Sequence, residues 1–179
     1  MRGRALVVLL ALASLLAVVS PSLEPAPSPA APYALPAELD GTVGRIVDGD
    51  TIYVRLANGV EKVRYIGVDT PEVHHPTRGE EPGGREATEV NRRLLGHETV
   101  RLETDVQLRD RYGRLLAYVW VTGPDGGPMM INAELVRLGY AAVMTVPPNV
   151  RHAALFRKLA AEARQHQRGL WAPAASPAR

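Results

Sequence analysis

Acidic, hydroxyl and guanidinium groups crowd the end of one apolar stretch of the chain. The stretch RYIGVDTPE opens with Arg64 and ends with Asp69, Thr70, Pro71 and Glu72. Because proline favours an extended conformation in the residue before it and donates no backbone hydrogen bond, these groups should lie where a β-strand ends. They form a candidate site, although a solvated strand end with an ion pair between Arg64 and Glu72 would give the same pattern.

The side chains of Arg64 and Asp69 can share a site only if the strand is irregular. Side chains alternate between the two faces of a regular strand, and the odd separation of these two residues places them on opposite faces. Gly67 lies between them. We therefore predict a β-bulge at Gly67 that brings both side chains to one side.

A second acidic pair lies in the segment VDGDT. An Asp48-Gly49 pair between two β-branched runs is typical of a hairpin turn, and a turn alone would account for both residues. It does not account for Asp50, since aspartate is disfavoured at the start of a strand. With Asp69 and the carbonyl oxygen of Thr70, Asp50 offers hard oxygen ligands that suit Ca²⁺ or Mg²⁺ better than zinc. Water and a substrate phosphate could complete this small set, which favours a catalytic cation.

A third group of polar residues precedes a strand in RDRYGRLLAYVW. Arg114 directly follows a glycine and enters the strand, where its planar guanidinium could be held in one orientation. Two arginines, Arg64 and Arg114, facing a metal-bound phosphodiester would neutralise the charge that grows during its hydrolysis. A turn whose arginines only meet solvent is the alternative.

The histidines give little support to a different chemistry. His74 and His75 adjoin an acidic loop, but without a third histidine at suitable spacing we expect an exposed loop rather than a zinc site. His97, His152 and His166 are predicted on the surface. No Ser-His-Asp arrangement and no glycine-rich phosphate loop is recognisable.

The hydrophobic pattern predicts the elements that would position these groups. Two runs in GTVGRIVDGDTIYVRL and a third in EKVRYIGV read as strands joined by Asp-Gly and Asn-Gly turns, and ETVRLET and RLLAYVWV read as strands four and five. REATEVNRRLLG, after the third strand, reads as a helix that buries Ala87, Val90 and Leu94 and ends at Gly96. Five short strands indicate a small β-barrel with helical flanks, although an open α+β sheet would also fit.

Two further helices are predicted in the last third of the chain. Asn132 would cap the first, AELVRLGY, and Gly139 would end it. Asn149 would cap the second, and Gly169 would end it. The residues predicted to face inward on this last helix are Ala154, Leu155, Leu159 and Ala163.

The N-terminal residues have the composition of a targeting segment. Two arginines precede an uncharged apolar run at residues 5–19, so residues 1–22 are predicted to be a signal peptide or a retained N-terminal membrane anchor. Residues 23–37, rich in Pro, Ala and Ser, are a predicted linker. The working domain is predicted at 38–173, with a flexible tail at 174–179. We therefore expect an exported protein, either secreted or held in the cell envelope.

Charge and cysteine content exclude several classes of protein. With 21 lysines and arginines against 19 aspartates and glutamates, the net charge of +2 is too small for general polyanion binding, so an anionic partner must meet a local group of arginines. The absence of cysteine excludes disulfides and thiolate-bound metals. Nothing in the sequence marks a protein interface, and a monomer without a protein partner is expected.

Together these motifs resemble those of the thermonucleases, or staphylococcal-nuclease-like domains. VDGDT, RYIGVDTPE, DRYGRLLAYVW, INAELVRLGYA and the closing GLW stand in that family's order and spacing between Glu38 and Pro173. The resemblance implies an α+β fold with a mainly β core, a five-stranded OB-fold β-barrel with three α-helices. It also implies a Ca²⁺-dependent endonuclease that hydrolyses DNA and RNA with low sequence specificity and leaves 3′-phosphate ends.

The resemblance assigns a role to each matching residue. The Ca²⁺ ligands that it implies are Asp50, Asp69 and the carbonyl oxygen of Thr70. The catalytic residues that it implies are Arg64, Glu72 and Arg114. The glutamate would orient or deprotonate the attacking water, and the two arginines would hold the phosphate.

The chain departs from the family pattern beside the expected substrate. Arg111 stands where the family often has lysine, and with Tyr112 it is predicted to bind substrate. Relatives carry tyrosines after the second helix that stack on a base, whereas this chain reads VMTVPPN, and Met144, Thr145 and Pro147 cannot stack as a phenol ring does. The resemblance therefore leaves the base preference open.

A non-catalytic OB-fold module that grips single-stranded nucleic acid is the alternative function. Such a module has no need of three acidic residues and two aimed arginines, and it would benefit from exposed aromatic residues. Aromatic residues of every kind make up only 5% of this chain. The sequence therefore favours an enzyme whose partner is nucleic acid, with single strands as the preferred substrate.

Overall fold

The structure is a computed structural model, and it describes residues 38–73, 79–96 and 99–173. The predicted signal or anchor segment, the linker and the C-terminal tail lie outside these residues, as do His74, His75 and His97. Within the described ranges, no helix is both long enough and apolar enough to cross a membrane.

A closed β-barrel forms the body of the protein. The strands in the described part of the chain are β1 (Glu38–Ile46), β2 (Thr51–Leu56), β3 (Gly59–Tyr65), β4 (Val68–Asp69), β5 (Thr99–Glu103), β6 (Leu115–Thr122), β7 (Pro128–Met130) and β8 (Ala142–Val143). Among these strands, the short β4 and β8 pair only with each other. The main sheet has the order β3-β2-β1-β5-β6-β7, and β3 also pairs with β6. That last ladder is parallel and closes five strands into a barrel, with β7 as an extension of β6. The predicted five-stranded barrel is confirmed, and the open sheet is excluded.

The alternation of side chains along the strands fills the barrel. Ile52 and Val54 of β2 and Val63 and Tyr65 of β3 are at most 1% exposed, while Tyr53 between them lies on the outer face. Each buried side chain of this size stabilises the fold by about 1.5–3 kcal/mol relative to an exposed one. The alternation of apolar and polar residues in the sequence of these strands therefore reflects burial of every second side chain inside the barrel.

The predicted third strand is two strands separated by a turn. After β3 the chain turns at Gly67 and enters β4, which pairs with β8. Gly67 has a φ of 80°, and a Cβ atom there would lie 2.5 Å from the ring of Phe156. A turn that only glycine fits, and not the predicted bulge, thus brings Arg64 and Asp69 to one side.

Three α-helices pack around the barrel, as predicted. Their bounds are α1 (Gly84–Leu95), α2 (Ile131–Arg137) and α3 (Ala153–Gln165), and a 3₁₀ turn (Gly169–Trp171) follows. The predicted inner face of α1 is present at Ala87 and Val90, and Gly96 ends the helix. Leu94 is only partly buried, whereas Leu95 beside it is 1% exposed. Gly169 begins the 3₁₀ turn and does not end α3, so that prediction is wrong.

Neither asparagine predicted as a helix cap has that role. Asn132 lies inside α2, where its buried amide accepts from the N–H of Val119 at 2.9 Å and donates to the carbonyl oxygen of Ile66 at 3.0 Å. Asn149 precedes α3 and exchanges two hydrogen bonds with the backbone of Gln107, at 2.7 and 2.8 Å. The amide of Asn132 thus satisfies buried backbone groups that would otherwise lack partners, whereas that of Asn149 holds its segment against the exposed residue Gln107.

The buried face of α3 differs from the predicted one. Ala163 is buried as predicted, but Ala154 is exposed and Leu155 is 41% exposed, while Phe156 is fully buried. The ring of Phe156 packs 6.1 Å from that of Tyr118 in β6, between centroids. The largest apolar side chain of the helix thus sets its rotation, because the core has space for that ring.

His152 is less exposed than predicted. It directly precedes α3 and is partly buried, with its ring edge-on to Tyr118 at 4.5 Å between centroids and its Nε2 atom 3.3 Å from Oε1 of Glu103. His166, in contrast, lies on the surface as predicted. Neither histidine lies in the cleft described below.

Candidate active site

The two aspartates predicted as metal ligands meet on one guanidinium group. Arg64, near the end of β3, has its Nε atom 3.1 Å from Oδ1 of Asp50 and its Nη2 atom 2.9 Å from Oδ1 of Asp69. Asp50 ends the turn before β2, and Asp69 ends β4. The ends of three strand segments therefore place these side chains together.

The guanidinium of Arg64 is fixed in one orientation. Its Nη1 atom donates to the carbonyl oxygens of Tyr65 and Val68, both at 2.8 Å. Arginine carries five N–H donors, and four of those on Arg64 face acceptors among the described residues. One N–H group on Nη2 is left for a further acceptor, in a side chain that is preorganised by burial.

Asp50 is a buried carboxylate. Only 4% of the residue is exposed, and its Oδ2 atom accepts from the N–H of Thr70 at 2.8 Å and from the hydroxyl of Thr70 at 3.2 Å. Burial raises the pKa of the Asp50 carboxyl to about 6, against the lowering effect of Arg64 and the N–H of Thr70, and the carboxylates of Asp48 and Asp69 add to the rise. A cation beside Asp50 would stabilise its charged form.

The oxygen atoms at this position fit a hard divalent cation. The side chain of Asp69 is 57% exposed and contacts the same guanidinium as the buried carboxylate of Asp50, so one candidate ligand is fixed and the other is open to solvent. Across the described residues, no group of three or more acidic or histidine side chains forms a cage. A cation here would need the carbonyl oxygen of Thr70, water and substrate oxygens, as a catalytic ion does.

A short turn before β6 positions Arg114. Oδ1 of Asp110 accepts from the N–H groups of Tyr112 and Arg114 at 2.9 and 3.0 Å, and Oδ2 accepts from Nε of Arg114 at 2.6 Å. Partial burial raises the pKa of Asp110, but hydrogen bonds from Arg114 and Tyr112 outweigh this effect and hold the pKa below its usual range. The guanidinium is thus anchored at Nε, and its Nη atoms have no hydrogen-bond acceptor among the residues that the structure describes.

Arg64 and Arg114 line one cleft of about 180 Å³. β3 and β6 lie side by side there, with Val63 opposite Leu115 and Arg64 opposite Leu116. The other side chains that line the cleft include apolar Met144 and Val146 and polar Gln107, Asp110 and Asn149. Such a cleft can hold an anionic group against its arginines and a less polar group against its apolar wall.

Tyr112 and Arg111 lie next to Arg114, outside the residues that line the cleft. Tyr112 is 68% exposed, and the guanidinium carbons of Arg111 and Arg114 lie 4.7 and 5.5 Å from the centroid of its ring. Nη2 of Arg111 also donates to the hydroxyl of Tyr112 at 2.6 Å. The turn therefore presents two cations and one accessible aromatic ring.

Glu72 lies on the chain segment between β4 and α1, with an exposed side chain. Its N–H donates to Oε2 of Glu81 at 3.1 Å, and its carbonyl oxygen accepts from the N–H of Glu81 at 2.8 Å. The carboxylate of Glu72 has no hydrogen-bond partner in the described part of the chain. Its position in sequence keeps its Cα within about 11 Å of that of Asp69.

Asn91 of α1 supports the turn that carries Asp50, and inspection of the sequence missed it. Its Nδ2 atom donates to the carbonyl oxygen of Asp48 at 3.1 Å, and its Oδ1 atom accepts from the hydroxyl of Tyr65 at 3.0 Å. Oδ1 of Asp48 in turn accepts from the N–H of Asp50 at 3.1 Å. The one signal in the sequence is a polar residue at helical spacing from Ala87 on the apolar face of α1.

Replacing Asn91 with Ala should lower the free energy of unfolding by about 2–3 kcal/mol, because the buried hydroxyl of Tyr65 and the partly buried carbonyl of Asp48 lose their partner. Urea denaturation measures the change. Arg93→Ala, on the exposed face of the same helix, is the matched control and should change stability by less than about 0.5 kcal/mol. An Asn91→Ala variant as stable as this control would contradict the supporting role.

Comparison with known proteins identifies a family. The sequence profile described as Staphylococcal nuclease homologue matches residues 62–173. Thermonuclease of Staphylococcus intermedius is 39% identical over 129 residues, which cover 72% of this chain and 74% of that protein. Thermonuclease of Staphylococcus hyicus is 38% identical over 127 residues, which cover 71% and 72%.

A longer relative matches in the same region. The SPbeta prophage-derived endonuclease YokF of Bacillus subtilis (strain 168) is 37% identical over 134 residues, which cover 74% of this chain but 44% of that protein. The profile match includes Arg64, Asp69, Glu72 and Arg114, and Asp50 precedes it. By its sequence and its barrel alike, the chain belongs to the family of staphylococcal nuclease homologues.

Proposed function

We propose that this protein is an exported, Ca²⁺-dependent endonuclease that hydrolyses phosphodiester bonds of DNA and RNA with low sequence specificity. The observation that carries the proposal is that Arg64 bridges Asp50 and Asp69 and shares one cleft with Arg114. Carboxylates for a cation and guanidinium groups for a phosphate, side by side, are what phosphodiester hydrolysis requires. The names of the relatives, thermonuclease and endonuclease, support the same activity.

The cation would be held by the carboxylates of Asp50 and Asp69 and by the carbonyl oxygen of Thr70. When bound, Ca²⁺ supplies the positive charge that polarises a phosphate oxygen and attracts water. The ligands are all oxygen atoms, which favours Ca²⁺ over zinc. The buried carboxylate of Asp50 and the exposed carboxylate of Asp69, both held by Arg64, supply one fixed and one accessible oxygen ligand for it.

The two arginines hold the phosphate in this proposal. The remaining N–H of Arg64 and the Nη atoms of Arg114 donate to its non-bridging oxygens. Because contacts with Asp69 and Asp110 fix both guanidinium groups in advance, little reorganisation is needed as negative charge grows. Arg111 and Tyr112 contact the neighbouring part of the strand, the first through a phosphate and the second through a base.

Glu72 positions a water molecule for attack on phosphorus and accepts its proton. A bond forms between the water oxygen and phosphorus while the bond from phosphorus to the 5′-oxygen breaks. The departing 5′-oxygen takes a proton from solvent, and the phosphate stays on the 3′-oxygen. One water molecule is consumed, and the products are a 3′-phosphate and a 5′-hydroxyl end.

The domain organisation that we propose from the sequence would place the nuclease domain outside the cytoplasm. Residues 1–22 export the chain as a signal peptide or retain it as an anchor, and residues 23–37 link them to the nuclease domain at 38–173. Residues 174–179 form a tail. The protein acts as a monomer in this proposal.

Cleavage of 5′-labelled single-stranded DNA and RNA by the full chain should require Ca²⁺. Replacing Ca²⁺ with excess EGTA should reduce the rate more than tenfold, because charge on the phosphate is then less well neutralised. Gel mobility before and after treatment with a 3′-phosphatase shows which oxygen keeps the phosphate. Equal rates in EGTA would contradict the calcium requirement, and labelled products that the phosphatase does not shift would contradict 5′-oxygen departure. Binding without any cleavage would instead indicate a non-catalytic module.

A further inference from the structure

The outer face of the barrel carries two cations around one tyrosine. Arg45 of β1 pairs with Tyr53 of β2, and Tyr53 pairs with Lys62 of β3. The guanidinium carbon of Arg45 lies 4.6 Å from the centroid of the Tyr53 ring, and Nζ of Lys62 lies 6.0 Å from it. We call these three residues the Tyr53 row.

The cations of the Tyr53 row are not neutralised by carboxylates among the described residues. Glu61, the neighbour of Lys62 in sequence, is held by Arg109 through two hydrogen bonds of 2.9 and 2.7 Å. The ring of Tyr53 holds the guanidinium of Arg45 closely and Nζ of Lys62 at a longer distance, and the charges of both stay available. Cations held in this way suit an anionic ligand, because little side-chain freedom is lost when they bind it.

The Tyr53 row continues the candidate active site across the sheet. Val63 of β3 lies opposite Leu115 of β6, so Lys62 and Arg114 precede this pair on adjacent strands. Lys62 also lies on the same face of β3 as Arg64, about 7 Å away along the strand. Arg45 lies two strands from Lys62, which adds about 10 Å to the length of the cationic surface.

We propose that the Tyr53 row binds single-stranded nucleic acid beyond the bond that is cleaved. Arg45 and Lys62 contact successive phosphates, and the ring of Tyr53 with the guanidinium stacked on it supports a base. A single strand fits this surface because its bases can turn toward the sheet while its backbone follows the cations. The inference rests on the function proposed for the cleft and names the path of its substrate.

The double variant Arg45→Gln with Lys62→Gln tests the proposal on substrates of two lengths. In the full chain with Ca²⁺, kcat/KM for a 20-residue oligothymidylate should fall about tenfold, mainly through KM, because two phosphate contacts are lost. For a thymidine dinucleotide, whose one phosphate must occupy the cleft, kcat/KM should change less than about twofold. The slope of log(1/KM) against log salt for the long substrate should decrease in magnitude by about 1.4.

Arg157→Gln with Lys158→Gln, two exposed residues of α3, is the matched control for net charge. This control should leave both kcat/KM for the long substrate and its salt dependence at the parental values. An equal loss in the control, or an equal loss on the dinucleotide, would overturn the proposal. If the parental protein cleaves neither substrate, the proposed function fails. If it cleaves both and the Arg45 and Lys62 variant matches it, only the binding path is wrong.

Discussion

Glu72→Gln is expected to lower kcat by about 10³-fold, since the amide cannot accept the proton of the attacking water. KM should change little, because no substrate contact is assigned to this side chain. The exposed position of Glu72 predicts an unchanged midpoint of urea denaturation. Steady-state hydrolysis of single-stranded DNA under saturating Ca²⁺ measures both kinetic constants.

Glu86→Gln is the matched control for this loss of charge. Glu86 is exposed in the first turn of α1, and its replacement should leave kcat within about twofold of the parental value. A Glu72→Gln variant that retains more than a tenth of the parental kcat would exclude the assigned role as a proton acceptor.

Arg114→Ala is expected to lower kcat by about 10²–10³-fold, because one of two guanidinium groups that stabilise the charged phosphoryl group is lost. The anchoring of Nε by Asp110 at 2.6 Å means that the group is oriented before substrate binds. Rates at saturating substrate separate this effect from a loss of affinity. Circular dichroism checks that the variant is folded.

Two further variants show what Arg114 contributes. Arg114→Lys keeps the charge but not the planar fork, and it should recover only part of the lost rate. Arg111→Ala should raise KM with kcat within about threefold, since Arg111 is assigned to binding and not to the reacting phosphate. If Arg114→Ala changed KM alone, Arg114 would be a binding residue and the proposed stabilisation of charge would be wrong.

The apolar wall of the cleft bears on which bases the enzyme accepts. Met144 and Val146 are 39% and 56% exposed and line the cleft together with Leu116. Flexible and branched aliphatic side chains make contacts that depend little on the identity of a base, unlike a hydrogen-bonded pocket. The wall therefore supports low sequence specificity for the proposed reaction.

The turn predicted from the sequence explains only part of why position 49 is a glycine. The Asp-Gly pair predicts a turn, and a turn is present between β1 and β2. In the structure, however, a Cβ atom on Gly49 would lie 2.7 Å from Oγ1 of Thr70. Glycine is required there because the turn packs against the segment that follows β4, which local sequence does not reveal.

The cleft itself depends on contacts between distant parts of the chain. Arg64 and Arg114 line the same cleft because the parallel ladder of β3 and β6 closes the barrel. Asn91 reaches Asp48 only because α1 packs over the end of the barrel. Parallel pairing between strands separated by a helix and two other strands has no local signature, since it depends on the closure of the whole sheet.

The sequence by itself determined the strands of the barrel, the order of its helices and the segments that carry the acidic and guanidinium groups. These features follow from side-chain alternation, helical periodicity and the backbone limits of glycine and proline, all of which act over a few residues. Only the tertiary structure decided that Asn132 and Asn149 bind backbone groups of distant segments, that Phe156 and not Leu155 faces the core, and that β7 and β8 exist. Each of these depends on which space and which unpaired polar groups distant segments leave, and short-range patterns carry no information about that.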